Sequence, residues 1–473
     1  MHDRCPAWTR FPVAFAVAFA LTIGLLACFT RPAASTDLLS FEGIGTVPRS
    51  MGGTALAYDV GGSAMANNVA TILLMPPGQL VDLQLNLDAP NTLDVQDLAT
   101  GEIATTDRWP VFHAYYSPNL DYVWRAGDFG LGLGLFSDGG LGTEYGHDSF
   151  LSRTPSGIDT GLAVSSKGLF LRAPLAAAYQ ITPALAVGGA FEGVFAGLSL
   201  SDLGSAEQLA TLAAQGRAFG SLLPTIGPVV GATGGAYFSF SRPPEIKFGT
   251  DAFGISGRLG ATYRLDEGSI LGISYRFKTL LPDLSGTTGR IVAISPGGDQ
   301  VSLPGSFRVL DFQLPADFGV GVSHELTSDL LIAFDYHHTF WGGAFQELKV
   351  RFRADSGGNI ALNIPQAYRD ANLFSIGVQY RALPQLVLRA GGQISNQALP
   401  GDQLLAIGPV VTIAHASTGF TFTISQGVAL QFAYIHAFTA SVTNRSPPNV
   451  SSTAPIGVVQ NQDNFSLGLT FRF

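Results

Sequence analysis

The last strand-length segment of the chain sets the terms for what it can fold into. Phe465, Leu467, Leu469, Phe471 and Phe473 alternate with Ser466, Gly468, Thr470 and Arg472. A period of two places the two sets on opposite faces of a strand. The same alternation runs through Val81 to Asp88, Leu330 to His337 and Phe374 to Arg381. In a soluble sandwich the polar set would be rich in Lys, Glu and Asp. Here charged residues are only 13% of the chain and hydrophobic ones are 46%. A surface of that composition is suited to lipid.

Helices do not offer a second way into a bilayer. Two later stretches lack charge for about a span length. Residues 173–191 are broken by Thr182-Pro183, and residues 218–241 contain Pro224, Pro228 and several glycines. Neither makes a lipid-exposed helix. The remaining solution is a closed barrel, in which every backbone group finds a partner on a neighbouring strand. The expected fold class is therefore all-β: a transmembrane antiparallel β-barrel of about 14 strands.

Candidate strands fall near 79–88, 109–117, 128–136, 169–181, 184–197, 253–264, 269–278, 313–325, 329–341, 371–381, 385–395, 412–424, 428–440 and 462–473. Connections after even strands are mostly short, as at Thr182-Pro183 and Thr327-Ser328. Those after odd strands are long, and 198–252 is the longest. Outer-membrane barrels have this asymmetry, with short periplasmic turns and long outer loops. Residues 348–352 also alternate and are placed in an outer loop. An aromatic C-terminus, here Phe473, marks such barrels for their assembly machinery.

The N-terminus reads as an export signal. Arg4 and Arg10 precede a charge-free apolar run from Phe11 to Phe29, and Ala33-Ala34-Ser35 offers a cleavage site. Residues 1–35 are assigned to it. A membrane anchor and a lipidated Cys28 are the alternatives, and the mass of the mature N-terminus separates the three. Cys5 and Cys28 are the only cysteines, so the exported chain has no disulfide framework or cysteine zinc site. No metal site or cofactor is expected. The net charge of −9 falls to −11 without residues 1–34, which argues against nucleic acid as a partner.

Residues 36–78 do not alternate. They hold Gly43, Gly45, Gly52, Gly53, Gly61 and Gly62 and a run of small residues from Ser63 to Ala70. Glycines permit tight turns and close packing. The low charge disfavours a disordered tail, so this segment is expected inside the lumen as a plug, ahead of a barrel at 79–473.

The run from Gly43-Ile44-Gly45 through Arg49-Ser50-Met51-Gly52-Gly53 and Tyr58-Asp59 to Asn67-Asn68-Val69-Ala70 resembles the N-terminal hatch of outer-membrane long-chain fatty acid and hydrocarbon transporters of the FadL/TodX type. Phe136 to Tyr145, Leu314 to Ser323, Ala333 to Tyr336 and Leu388 to Gly392 resemble the same family's barrel and early loop. The resemblance implies a fourteen-stranded barrel closed by a hatch. It also implies capture of hydrophobic compounds in an apolar outer groove, an inner pocket, and release through a side exit opened by the hatch and an inward strand kink. It points to Gly43, Gly45, Gly52, Gly53, Asp59, Asn67, Asn68 and Ala70 as hatch residues. The family has Asn-Pro-Ala where this chain has Asn68-Val69-Ala70, and Val lacks the fixed φ of Pro.

Such a role suits the composition. An apolar solute gains about 25 cal/mol per Å² buried along a greasy track. Within 198–252, Leu203, Ala206, Leu209, Ala210 and Ala213 lie at helical spacing. Leu209, Leu212, Leu222, Leu223, Ile226 and Val229 are the candidate groove. Arg276, Arg381 and Arg389 fall on the polar phase of their strands and are candidates for a carboxylate headgroup, or else lumen lining paired to acids such as Asp335. Expected partners are hydrophobic small molecules (fatty acids, hydrocarbons), outer-membrane lipids and lipopolysaccharide. The alternatives are a general or substrate-specific diffusion porin and, less favoured, an outer-membrane lipase. Gly-x-Ser-x-Gly and His-Glu-x-x-His are both lacking, so an enzyme is not expected.

Overall fold

The structure, a computed structural model, describes residues 43–106, 115–241, 247–408, 411–445 and 455–473. The export signal, Cys28 and residues 36–42 lie outside the described residues.

Fourteen antiparallel strands close into a ring. They are β1 (Gly78–Asp97), β2 (Tyr115–Ala126), β3 (Phe129–Glu144), β4 (Ser165–Gln180), β5 (Leu185–Ser205), β6 (Thr250–Arg264) and β7 (Ser269–Arg276). Then follow β8 (Asp317–Thr327), β9 (Leu330–Thr339), β10 (Ala371–Leu383), β11 (Leu386–Ser395), β12 (Ala414–Ser425), β13 (Val428–Asn444) and β14 (Ile456–Arg472). Each pairs with the next, and β14 returns to β1 through a register that begins Leu80 opposite Arg472. No helix among the described residues is long and apolar enough to cross a membrane.

The alternation is inside out. Leu83 and Leu85 on β1 are 44% and 46% exposed, whereas Asp82, Gln84 and Asn86 between them are buried. Leu131, Leu133, Leu175, Phe253, Leu259 and Leu467 are likewise exposed on the other strands. In water this would cost about 2 kcal/mol per side chain. In a bilayer it is the stable arrangement.

The expected strand positions hold with end shifts, except for the second. That segment, expected at 109–117, is instead 115–126, and residues 109–114 lie outside the described set. Tyr116, Leu120 and Trp124 are its large exposed apolar residues. The inner phase includes the apolar Val123, which blurs the alternation because it packs inside the ring. The long connections also differ from plain loops. Strands at 235–239, 284–294, 300–310, 347–354, 359–365 and 218–219 build a raised sheet from the top of β5, where Ser201 to Ser205 pair with residues 235–239. The alternating 348–352 segment belongs to this sheet.

Helix α1 (Thr46–Ser50) lies in the N-terminal segment, and α2 (Ala206–Ala214) and α3 (Leu223–Val230) lie over the ring's long-loop end. The helical spacing read from Leu203 begins three residues too early. Ser205 caps α2, its Oγ accepting from the Gln208 N–H at 3.1 Å while Gln208 Oε1 accepts from the Ser205 N–H at 2.8 Å. Leu203 therefore stays in β5.

Candidate functional site

Residues 43–77 fill the short-turn half of the ring. Most are buried, and their polar groups bond to inward side chains all around the wall. The Thr46 N–H donates to Gln84 Oε1 (3.1 Å) on β1, and the Gly52 N–H donates to Ser417 Oγ (2.8 Å) on β12. The N–H groups of Ala55 and Leu56 donate to Asp335 Oδ2 on β9 at 2.6 and 3.1 Å. Arg49 Nη2 donates to Asp88 Oδ1 (2.6 Å), and Asn68 Nδ2 donates to the Ala261 carbonyl (3.0 Å). A buried N–H left unmatched costs about 1–3 kcal/mol, so these bonds seat the segment.

Glycines make the seat possible. A Cβ on Gly272 would lie 1.8 Å from the Leu56 carbonyl oxygen, and one on Gly391 would lie 2.2 Å from the Met51 carbonyl carbon. One on Gly260 would lie 2.1 Å from Asn68 Oδ1. At Gly272 and Gly391 wall and plug approach backbone to backbone, which only glycine allows.

Each predicted hatch residue has a defined place. Gly45 (φ 104) is the N-cap of α1, and its Cβ would strike Ser63. Gly43, Gly52 and Gly53 all have positive φ, which L side chains rarely adopt. Asn67 Nδ2 donates to the carbonyls of Ile44 and Ser63 at 2.9 and 2.8 Å, gathering three parts of the segment. Asn68 Oδ1 accepts from the Ala70 N–H at 3.2 Å. Asp59 lies apart, 3.7 Å from Arg472 and half-buried at the short-turn end.

Val69 is the first residue of a 3₁₀ turn over Val69–Leu74. At that position the helix makes no use of the N–H, and proline is welcome. Val69→Pro is expected to leave the segment in place and to change stability by no more than about 1 kcal/mol. A thermal melt of the two proteins checks this, and a loss several times larger would contradict it.

Above the plug lies a layer of charge. Arg172 Nε donates to Asp138 Oδ2 and its Nη1 to Glu192 Oε2, both at 2.7 Å. Arg258 Nε reaches Glu192 Oε1 at 3.3 Å, and Arg276 Nη1 reaches Asp138 Oδ1 at 3.0 Å. All five side chains are buried. Arg258 Nη1 (3.0 Å) and Ser274 Oγ (2.7 Å) both donate to the Asn67 carbonyl, tying this layer to the plug.

Above the charge is an apolar layer. It joins Phe170, Leu198, Phe312 and Trp341 to Leu212 and Ile226 of the candidate groove. Leu209, Leu222, Leu223 and Val229 are partly buried against it. The inward positions of the strands repeat this order. Descending β5 they read Leu198, Val194, then Glu192, then Gly188 against Val69. Descending β4 they read Phe170, Arg172, then Ala176. Asp202 interrupts the apolar run. It is the eighteenth residue of β5 and stands above the roughly ten that cross a membrane. Burial pushes its carboxyl well above the usual carboxylate range.

The three candidate arginines are not brought together. Arg276 joins the charge layer. Arg389 is buried and donates to Gln379 Oε1 (2.8 Å) and Thr421 Oγ1 (2.7 Å). Arg381 keeps the inward phase of Ser375, Gly377 and Gln379 but is exposed, because it lies at the strand end beside the β10–β11 turn, where the register shifts. Asp335 holds the plug, and His337 Nδ1 lies 3.0 Å from Asp317 Oδ1. Reasoning from sequence missed Arg172, Glu192, Asp138 and Arg258, whose charged side chains on inward strand positions were a readable signal.

The wall has one discontinuity beside this stack. Among the described residues β3 pairs with β2 from Phe129 to Leu135 and no further. Pro118 has no N–H to offer. Beyond it, side chains replace the ladder: Asn119 Oδ1 accepts from the Ser137 N–H at 2.9 Å, and Ser137 Oγ donates to the Pro118 carbonyl at 3.2 Å. On the other edge the pairing jumps from Leu133–Leu175 to Phe136–Arg172, across Pro174. Phe136 turns inward and is fully buried among plug residues.

A family model described as outer membrane protein transport protein (OMPP1/FadL/TodX) matches residues 25–473. The chain belongs to this family. Outer membrane protein P1 of Haemophilus influenzae is 25% identical over 442 residues, 88% of each chain. The toluene transporter TodX of Pseudomonas putida is 33% identical, with a TM-score of 0.82 over 91% of this chain and 99% of that one. The Ralstonia pickettii toluene transporter TbuX is also 33% identical, with a TM-score of 0.77 over 91% and 99%. This OMPP1/FadL/TodX member is thus an outer-membrane β-barrel, and its relatives are transport proteins.

Proposed function

We propose that the protein carries hydrophobic small molecules inward across the outer membrane. The solute is captured among Leu209, Leu212, Leu222, Leu223, Ile226 and Val229, passes into the apolar layer and halts above the charge. Residues 43–77 act as a hatch beneath it. When the hatch shifts near Asn67 and Asn68, the solute leaves sideways between β2 and β3 into the bilayer.

The observation that carries this reading is the vertical order: apolar residues above, paired charges in the middle, a seated plug below. An aqueous pore has no need of that order. Toluene transport by TodX and TbuX supports an aromatic cargo. A carboxylate cargo would favour Arg389, which donates to the neutral Gln379 and Thr421, over Arg276, which Asp138 neutralises. We infer that Phe473, exposed just past β14, is read by the assembly machinery, and that the exposed apolar belt meets membrane lipid, including lipopolysaccharide in the outer leaflet.

Uptake of labelled toluene by cells whose outer membrane limits its entry tests the proposal. Expression of the protein is expected to raise the rate. Leu212→Asp places an unpaired charge in the apolar layer and is expected to lower uptake about tenfold. Equal uptake by the two folded proteins would refute capture there. A large steady ohmic current through the wild type would instead favour a porin.

A further inference from the structure

Asp202 stands on the inward phase of β5, in line with Leu198 and Leu200. Its directly paired neighbour is Phe238 of the raised sheet. Paired residues share a face, and Leu198, Leu200 and Phe238 all belong to the apolar layer. A carboxylate therefore projects into the same apolar interior that holds Leu212 and Ile226. Its Oδ1 is buried with no hydrogen-bond partner. The backbone N–H of Leu203 is the group that reaches the carboxylate, and no basic side chain offsets it among the described residues.

An unmatched carboxyl oxygen in such surroundings is costly to the folded chain. A carboxyl group can meet a ligand hydroxyl as acceptor or as donor, whichever partner holds the proton. A hydrocarbon offers it nothing. A carboxylate ligand would bring a second acid into an apolar space without a cation. We propose that Asp202 makes the outer apolar layer selective for hydrophobic molecules bearing a hydroxyl group, phenols and long-chain alcohols, over bare hydrocarbons and carboxylates. This rests on the capture reading above and names the chemical class captured.

The test uses three probes of one shape: 4-hexylphenol, hexylbenzene and 4-hexylbenzoate. Binding to the purified full-length protein in detergent is measured by titration calorimetry, with empty micelles subtracted. The wild type is expected to prefer 4-hexylphenol to hexylbenzene by about tenfold, the scale of one buried hydrogen bond. Asp202→Leu is expected to abolish that preference while hexylbenzene still binds. Asp202→Asn, close in shape and free of the acid, is expected to bind 4-hexylbenzoate several-fold tighter than the wild type does. It supplies the decision if the leucine variant does not fold. Equal binding of phenol and hydrocarbon by the wild type, or an unchanged preference in Asp202→Leu, overturns the inference and leaves capture intact. Binding of none of the three probes removes the capture reading, and the inference with it.

Discussion

In a planar bilayer, the double variant Gly272→Leu/Gly391→Leu is expected to conduct as an open pore, whereas the wild type stays nearly silent. Both glycines face hatch backbone, at the Leu56 carbonyl and at Met51. Any side chain there falls inside contact distance of atoms that have no rotamer to give way. The wall is held on both sides, since β7 pairs with β6 and β8, and β11 with β10 and β12. The hatch is the part that moves. It then loses Asp335 at Ala55 and Leu56, and Ser417 at Gly52, at about 1–3 kcal/mol for each buried group left unmatched. Gly343→Ala is the control, because nothing lies within 4 Å of its Cβ. Folding is checked by the heat-dependent shift of the barrel in SDS gels. A folded double variant that remains silent would mean that residues 43–77 do not close the pore.

The barrel was legible because lipid on one side and a polar interior on the other leave a period of two in every crossing strand. Where that contrast fails, so does the reading. Ile291, Val292, Ala293 and Ile294 are buried on both faces of the raised sheet, and a continuous apolar run does not show its period. Val123 obscured β2 for a related reason, being apolar on the inward phase against the plug.

The glycine content was visible, but its purpose was not. Gly391 meets Met51 across 340 residues of sequence, and only closure of the ring brings them together. Asp202 was within reach of the sequence. It continues the phase of Leu198 and Leu200, where a charge breaks the local pattern. Such breaks are where function tends to sit.

The charge layer allows a sharper test of how the middle of the barrel is held. Three arginines are ion-paired to two acids there, and the buried Asp317 stands directly opposite Arg276 on β8. Glu192→Gln is expected to destabilise the folded barrel by about 3–5 kcal/mol, the usual result of leaving buried charge without its partner. Glu192 accepts from both Arg172 and Arg258, so its loss breaks two ion pairs and takes from Arg258 the carboxylate it is paired with. Arg172→Met is expected to cost less, although Arg172 also makes two ion pairs. Its removal leaves Asp138 with Arg276 and Glu192 with Arg258, two balanced pairs. Urea unfolding in lipid vesicles reads both. The ranking, not the size, carries the argument: a costlier Arg172→Met would show that packing of the arginine outweighs charge balance. Arg258 also donates to the Asn67 carbonyl. Glu192→Gln is therefore expected to loosen the hatch as well, seen as brief current bursts absent from the wild type. If the protein is destabilised without such bursts, the charge layer supports the wall alone and does not govern the gate.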